Sequence, residues 1–299
     1  MFRRFAMLVF GSLMFAPLAM GQGFGYPPQI EGARVATYKE IDGVTLKLWI
    51  FEPKGHEREK ALPAIIFFFG GGWQSGSPEQ FERQSRHLAS RGMIAIVADY
   101  RVASRHRVTA DRCVADAKSA IRWVRSNAKG LGIDPDRIVA AGGSAGGHLA
   151  ACTATIVGLD EPTEDAKVSS VPSALALFNP AVVLAPYQGL MEDGKSGANL
   201  GKRLGVSPRE LSPIHHIRAG LPPAIIFHGK KDATVPYATV EAFEKAYAAA
   251  GNRCELVGYP EAGHGFFNFR KGSEGDHHDT LIKLDRFLVS LGYLPDPLK

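Results

Sequence analysis

Apolar and polar positions along the chain fall into short blocks whose period changes several times. Arg34–Glu40 and Val44–Phe51 read as two strands, and Asp42-Gly43 between them is the signal of a type I′ hairpin turn. Pro53–Lys60 follows as a polar turn. Ala64–Phe69 is then an uninterrupted apolar run, as expected of a strand covered on both faces. Phe81, Ser85 and Leu88 switch to a helical period. The alternation repeats to the end of the chain. Met93–Ala98, Arg137–Ala141, Ala174–Phe178, Ala224–His228 and Cys254–Tyr259 read as strands. Ala145–Val157 reads as a helix, as do the stretches carrying Val114/Ala117/Ile121/Val124, Val240/Phe243/Tyr247 and Leu281/Leu284/Leu288 on one face.

A hairpin followed by repeated β-α units predicts an α/β fold: a mostly parallel central sheet with an N-terminal antiparallel hairpin and helices on both faces. Ligands of such sheets bind beyond the carboxyl ends of the strands. Leu159–Ser212 holds one clear strand, so a small cap insertion over that edge is expected around 184–212.

The first residues follow a different logic. Arg3 and Arg4 precede the apolar run Phe5–Phe15 and then Ala19-Met20-Gly21, which reads as a signal peptide over 1–21, cut after Gly21. The expectation is one secreted or periplasmic domain over 22–299, with no membrane span in the mature chain; a retained N-terminal anchor is the alternative. Arg3 and Arg4 also supply two of the five units of formal positive charge, and no basic stripe remains to suggest nucleic acid. The three cysteines, Cys113, Cys152 and Cys254, are too few for a disulfide framework and lack zinc-type spacing. A Cys113–Cys254 bridge stays open, as does the oligomeric state. His215-His216 and His277-His278 are adjacent pairs whose rings diverge on a helix or strand, so no metal site is expected there. No organic cofactor is implied either.

Three segments carry candidate chemistry, each just after a strand. Gly142-Gly143-Ser144-Ala145-Gly146 fits G-x-S-x-G between a strand and a helix. A nucleophile on so sharp a turn needs small neighbours, and the helix that follows favours negative charge near its N-terminus. Asp232 follows the Ala224–His228 strand and His264 follows the last strand. The order Ser, Asp, His with this placement points to a triad: His264 takes the proton of Ser144, and Asp232 fixes the tautomer of His264. Phe69-Gly70-Gly71-Gly72-Trp73 follows the first buried strand, and its amides, with that of Ala145, are suited to an oxyanion hole. Trp73, Tyr100 and Tyr237 lie near these loops and are candidates for lining a substrate pocket.

Together these pieces resemble the hormone-sensitive-lipase-like carboxylesterases, particularly the branch holding secreted acetylxylan and feruloyl esterases. The resemblance rests on Gly70-Gly71-Gly72-Trp73, Gly76-Ser77, Asp99-Tyr100-Arg101, Gly132-Ile133-Asp134-Pro135, Gly143-Ser144-Ala145-Gly146-Gly147-His148, His228-Gly229 with Asp232 and Val235-Pro236, and Gly263-His264-Gly265-Phe266. It spans most of Pro63–Leu294. It implies an α/β-hydrolase fold, Gly71, Gly72 and Ala145 as oxyanion donors, structural roles for Asp99 and Arg101, and a packing or hydrogen-bonding role for His148. One position departs from the family: Phe69 stands where a histidine usually braces the glycine loop, so bracing by a Phe67-Phe68-Phe69 cluster is expected instead. The expected activity is an exported serine esterase acting on short-chain, chiefly acetyl, esters, including those of plant-type carbohydrates. A peptidase or arylformamidase using the same triad is the alternative within enzymes. A non-catalytic, receptor-like protein is the alternative outside them, though Ser144, Asp232 and His264 are all retained.

Overall fold

In the computed structural model, which describes residues 25–296 apart from 192–194 and 273, eight strands form one sheet. They are β1 (Arg34–Ile41), β2 (Val44–Phe51), β3 (Leu62–Phe68), β4 (Ile94–Ala98), β5 (Ile133–Gly143), β6 (Ala174–Phe178), β7 (Ala224–Gly229) and β8 (Cys254–Tyr259). The proposed leader over 1–21 lies outside the described residues. The helices are α1 (Glu82–Ser90), α2 (Ala103–His106), α3 (Ala110–Ser126), α4 (Ala128–Leu131), α5 (Ala145–Thr155), α6 (Lys195–Leu204), α7 (Tyr237–Ala249) and α8 (Gly275–Ser290). None of the described helices is long and apolar enough to cross a membrane.

The strand order β1-β2-β4-β3-β5-β6-β7-β8 follows from the local patterns. Asp42 and Gly43 take φ of 52° and 75°, the paired left-handed conformations of a type I′ turn, and β1 folds back on β2. From β3 onward the neighbours are parallel. Their side chains alternate between two buried faces, which is why the runs are continuously apolar. Ile65 and Phe67 face a core shared with Leu88 of α1 and Leu284, Phe287 and Leu288 of α8. Ile66 and Phe68 face the opposite core, shared with Val114 and Ile121 of α3, Leu149 of α5, and Val240, Phe243 and Tyr247 of α7. Burying each such side chain contributes roughly 1.5–3 kcal/mol.

This winding also decides where chemistry can occur. The chain goes from β3 outward to β4, then returns across β3 to lay down β5 on its other side. The loops after β3 and β5 therefore leave the sheet side by side in opposite directions, opening a crevice at their carboxyl ends. Phe68 of β3 is in register with Gly142 of β5. The next three strands add in sequence, so the loops after β6, β7 and β8 line up along the same edge.

At the hairpin side of the sheet, buried charges hold the elements together. Asp116 of α3 accepts from Nε and Nη2 of Arg101, both at 2.9 Å, and from Nζ of Lys39 at 2.8 Å. Asp99 accepts from the hydroxyl of Tyr26 and, at 2.8 Å, from the amide of Tyr100. Burial nevertheless pushes the Asp99 carboxyl from 3.8 up to about 6, against the lowering effect of the Tyr26 hydrogen bond, Arg105 and the Tyr100 amide. A carboxyl raised in the folded state binds its proton more tightly there. Its contribution thus favours folding below about pH 4 and is lost as pH climbs through about 6. The wild type should lose stability relative to Asp99→Asn between pH 4 and pH 7, as measured by urea unfolding across that range. A pH-independent difference would contradict this.

Candidate active site

Ser144 sits at the turn from β5 into α5 with φ 54° and ψ −115°, a conformation few non-glycine residues adopt. The turn closes only because its flanks are bare. A Cβ on Gly146 would lie 2.0 Å from the Phe68 carbonyl oxygen, and one on Gly142 would lie 2.5 Å from the Gly146 backbone. The amide of Ser144 donates to the Phe178 carbonyl at 2.8 Å, tying the turn to the end of β6.

The edge loops bring the three expected residues into one line. His264 Nε2 lies 2.9 Å from Ser144 Oγ, and His264 Nδ1 lies 2.7 Å from Asp232 Oδ2. Asp232 is held from several sides. Its Oδ1 accepts from the amides of Thr234 and Val235 at 2.8 and 2.9 Å, and its Oδ2 also accepts from Asn179 Nδ2 at 2.7 Å. Burial alone would raise this carboxyl. The hydrogen bonds from His264 and from the amides of Val235 and Thr234 overcome that and hold it below the usual carboxylate range. His228 packs beside it, with Nε2 donating to the Val235 carbonyl at 2.8 Å and lying 3.3 Å from Asp232 Oδ2. Burial lowers the pKa of His228, against the raising effect of the Val235 hydrogen bond and Asp232.

The glycine loop after β3 runs beside Ser144, and its Gly72 lines the same pocket. Gly71 and Gly72 take φ of 125° and 62°, and a Cβ on Gly71 would lie 2.1 Å from the Ser75 carbonyl oxygen. The amides of Gln74 and Ser75 close the turn on the Gly71 carbonyl at 3.0 and 3.2 Å. The amides of Gly71, Gly72 and Ala145 donate to no group among the described residues. They are therefore candidate donors to an incoming oxygen.

The bracing of this loop differs from expectation. Phe67 lies in one core, whereas Phe68 and Phe69 share the core on the opposite face, so the three do not form a single cluster. Phe69 instead stacks on Tyr100 at 4.1 Å, and the Tyr100 hydroxyl donates to the Phe69 carbonyl at 2.7 Å. Gln80 supplies a second brace. Its Oε1 accepts from the Gly70 amide at 2.6 Å and its Nε2 donates to Asn268 Oδ1 at 3.1 Å. Asn268 in turn donates to the Gly265 carbonyl at 2.9 Å. Gln80 and Asn268 thereby link the glycine loop to the loop carrying His264.

A pocket of about 600 Å³ opens over Ser144. Its walls include Trp73, Val183, Leu184, Leu200, Val235 and Pro236, so it is mainly apolar. Arg203 of α6 also lines it and donates to the Gly72 carbonyl at 2.5 Å. Of the three aromatic residues expected at the pocket, only Trp73 is there. Tyr100 is completely buried beneath the glycine loop, where it supports Phe69. Tyr237 begins α7 and packs on His228 at 5.8 Å and under Lys230. The segment 184–212 contributes Leu184, Met191, Leu200 and Arg203 to one wall.

The remaining candidates stay outside the site. Cys113 and Cys254 are free thiols: Cys113 Sγ lies 3.0 Å from the Arg101 carbonyl in the core, while Cys254 starts β8. His215 and His216 each direct Nε2 at a backbone carbonyl, of Pro186 and Arg209, at 3.1 Å. His277 Nδ1 lies 2.9 Å from the Phe267 carbonyl.

The parallel sheet, the strained serine turn and the histidine and aspartate on successive edge loops define an α/β hydrolase. The chain belongs to the BD-FAE family, whose model matches residues 48–247. It is 31% identical over 221 residues to the esterase LipC of Mycobacterium tuberculosis, covering 69% of this chain and 54% of LipC. It is 30% identical over 219 residues to the carboxylesterase NlhH of the same organism, covering 70% of this chain and 67% of NlhH. The matched region thus spans about half to two thirds of these relatives. Among solved structures, native esterase 2 of Thermogutta terrifontis superposes with a TM-score of 0.88 at 52% identity, covering 93% of this chain and 99% of that one. That esterase has also been solved with propionate bound, with butyrate bound and phosphorylated by paraoxon.

Proposed function

We propose that the protein is a serine carboxylesterase acting on short-chain acyl esters. The observation that carries this reading is the continuous hydrogen-bonded line from Ser144 through His264 to Asp232, facing three unengaged amides. In the proposed reaction His264 Nε2 takes the proton of Ser144 Oγ as the oxygen attacks the ester carbonyl. The amides of Gly71, Gly72 and Ala145 receive the charge that develops on the carbonyl oxygen. His264 then returns the proton to the departing alcohol, leaving an acyl-serine. Water enters, His264 takes its proton, and the acid is released as Ser144 regains its hydrogen.

The apolar pocket over Ser144 leaves room for the acyl group, and the propionate and butyrate complexes of the T. terrifontis esterase support acyl groups of a few carbons. We further propose export, from the charged and apolar pattern of residues 1–21, and a substrate that includes acetylated carbohydrate, from the family resemblance. In this reading residues 184–212 act as a small cap on a single domain over 22–299. Two assays test the proposal. With p-nitrophenyl esters of increasing chain length, kcat/KM should be highest at two to four carbons, roughly, and fall beyond them. With acetylated xylan, acetate should appear and depend on Ser144. A preference for long acyl chains would overturn the acyl-size reading, and absence of acetate would overturn the carbohydrate reading.

A further inference from the structure

We propose that His148 is a positioning residue for the oxyanion hole, holding the Trp73 end of the glycine loop through its neutral ring. The inference rests on the esterase reading above.

His148 lies one turn into α5, and its amide donates to the Ser144 carbonyl at 2.9 Å. Its backbone is therefore fixed relative to the nucleophile. The ring is fully buried and stands edge-on to the Trp73 indole, with centroids 5.1 Å apart and planes at 84°. Trp73 Nε1 donates to His148 Nδ1 at 3.2 Å, and His148 Nε2 lies 2.7 Å from the Leu211 carbonyl. An indole N–H can only donate and a carbonyl can only accept. Both neighbours therefore impose one tautomer, with the lone pair on Nδ1 and the proton on Nε2. Burial, only partly offset by the Leu211 hydrogen bond, lowers the pKa to about 4. The ring thus keeps this form in neutral solution. Cys152 Sγ closes the remaining side, 3.2 Å from Nε2.

What the ring holds is strained. Trp73 has φ 61°, a left-handed conformation that is costly for a bulky side chain and survives only where its surroundings enforce it. Several ties enforce it here, among them the Arg203 guanidinium 5.5 Å over the indole. The Trp73 carbonyl accepts from the Ala103 amide at 3.0 Å, and the indole is held by His148. Trp73 directly follows Gly72, whose amide is a proposed oxyanion donor. Releasing the indole lets Trp73 relax and turns the adjoining Gly72 segment away from the position facing Ser144. Substrate binding in the ground state needs the pocket walls, whereas the transition state also needs the aimed amides. The loss should therefore fall on kcat.

The test compares His148→Phe with His148→Gln, which keeps one acceptor and one donor. Each is assayed for kcat and KM on p-nitrophenyl acetate, for inhibition by a short trifluoromethyl ketone that forms a serine-bound oxyanion, and for melting temperature. Ser144→Ala serves as the control that the turnover measured is that of the esterase reading. His148→Phe is expected to lower kcat at least about tenfold, short of the ~10²–10³ for losing a donor outright. KM should stay within about twofold, and ketone affinity should fall in parallel with kcat. His148→Gln should recover most of both. Trp73→Phe, which keeps an aromatic ring and deletes the donor, should show the same parallel fall and keeps the test open should His148→Phe not fold. A lower melting temperature with kcat and ketone affinity unchanged would overturn the proposal and leave His148 a packing residue. Ser144-independent turnover in the wild type would instead overturn the esterase reading.

Discussion

Replacing Ser144 by alanine is expected to lower kcat for short-chain esters by about 10⁶-fold without unfolding the protein. The size follows from how the site is built. Ser144 Oγ is the only atom of its side chain engaged in the line to His264, and no other hydroxyl among the described residues is hydrogen-bonded to that ring. Without Oγ there is no acyl-enzyme route, and the amides of Gly71, Gly72 and Ala145 are left to polarise a carbonyl that only water can attack. Residual turnover from that source is on the order of 10³–10⁴ over the uncatalysed reaction. The fold should survive because the turn is secured by the Ser144 amide and by Gly142 and Gly146, not by Oγ. Steady-state kinetics with a melting curve on the same sample check both parts. A drop of less than about a hundredfold would mean that the nucleophile lies elsewhere.

Asp232→Asn should cost about 10⁴-fold in kcat. The amides of Thr234 and Val235 both donate to Oδ1, so an asparagine must place its oxygen there and its NH2 where Oδ2 stood. That NH2 would face His264 Nδ1 and the Asn179 NH2, which now donate to or share a carboxylate oxygen. One contact becomes donor against donor. The other can persist only if His264 moves its proton to Nε2, where it can no longer accept from Ser144. The variant thus combines a wrong tautomer with an unpaired buried amide, and its melting temperature should fall as well. Near-normal kcat in a folded Asp232→Asn protein would show that this carboxylate does not govern the histidine.

The strand pattern and the motif order were legible because both are local. A glycine-flanked serine after one strand, an aspartate after another and a histidine after the last need only sheet order to converge. The residues without a local signal depend on distant partners. Gln80 reaches Asn268 across the whole core sequence, and neither residue type nor spacing suggests the pairing. Asn179 carried a faint signal, being a polar residue directly after the wholly apolar β6 and before Pro180. Its role becomes apparent only when β7 brings Asp232 beside it. Tyr100 and Tyr237 lie outside the pocket because proximity to a loop says nothing about side-chain direction. Phe67 and Phe68 face opposite sides of β3 as neighbours in a strand must, but Phe69 lies past the end of β3 and joins the core of Phe68, which alternation alone does not predict. α6 has little signal of its own, because Lys195–Leu204 is a glycine-containing stretch, of which Leu200 and Arg203 reach the pocket.

The central claim is that Ser144 is a nucleophile activated by His264 under the control of Asp232. Its most direct test is to treat the folded protein with paraoxon, follow residual esterase activity, and locate the modification by peptide mass spectrometry. The account predicts one diethylphosphoryl group per chain, on Ser144, formed in step with loss of activity and absent from Ser144→Ala. Complete inactivation with the label on another residue, or full activity with Ser144 quantitatively labelled, would contradict it.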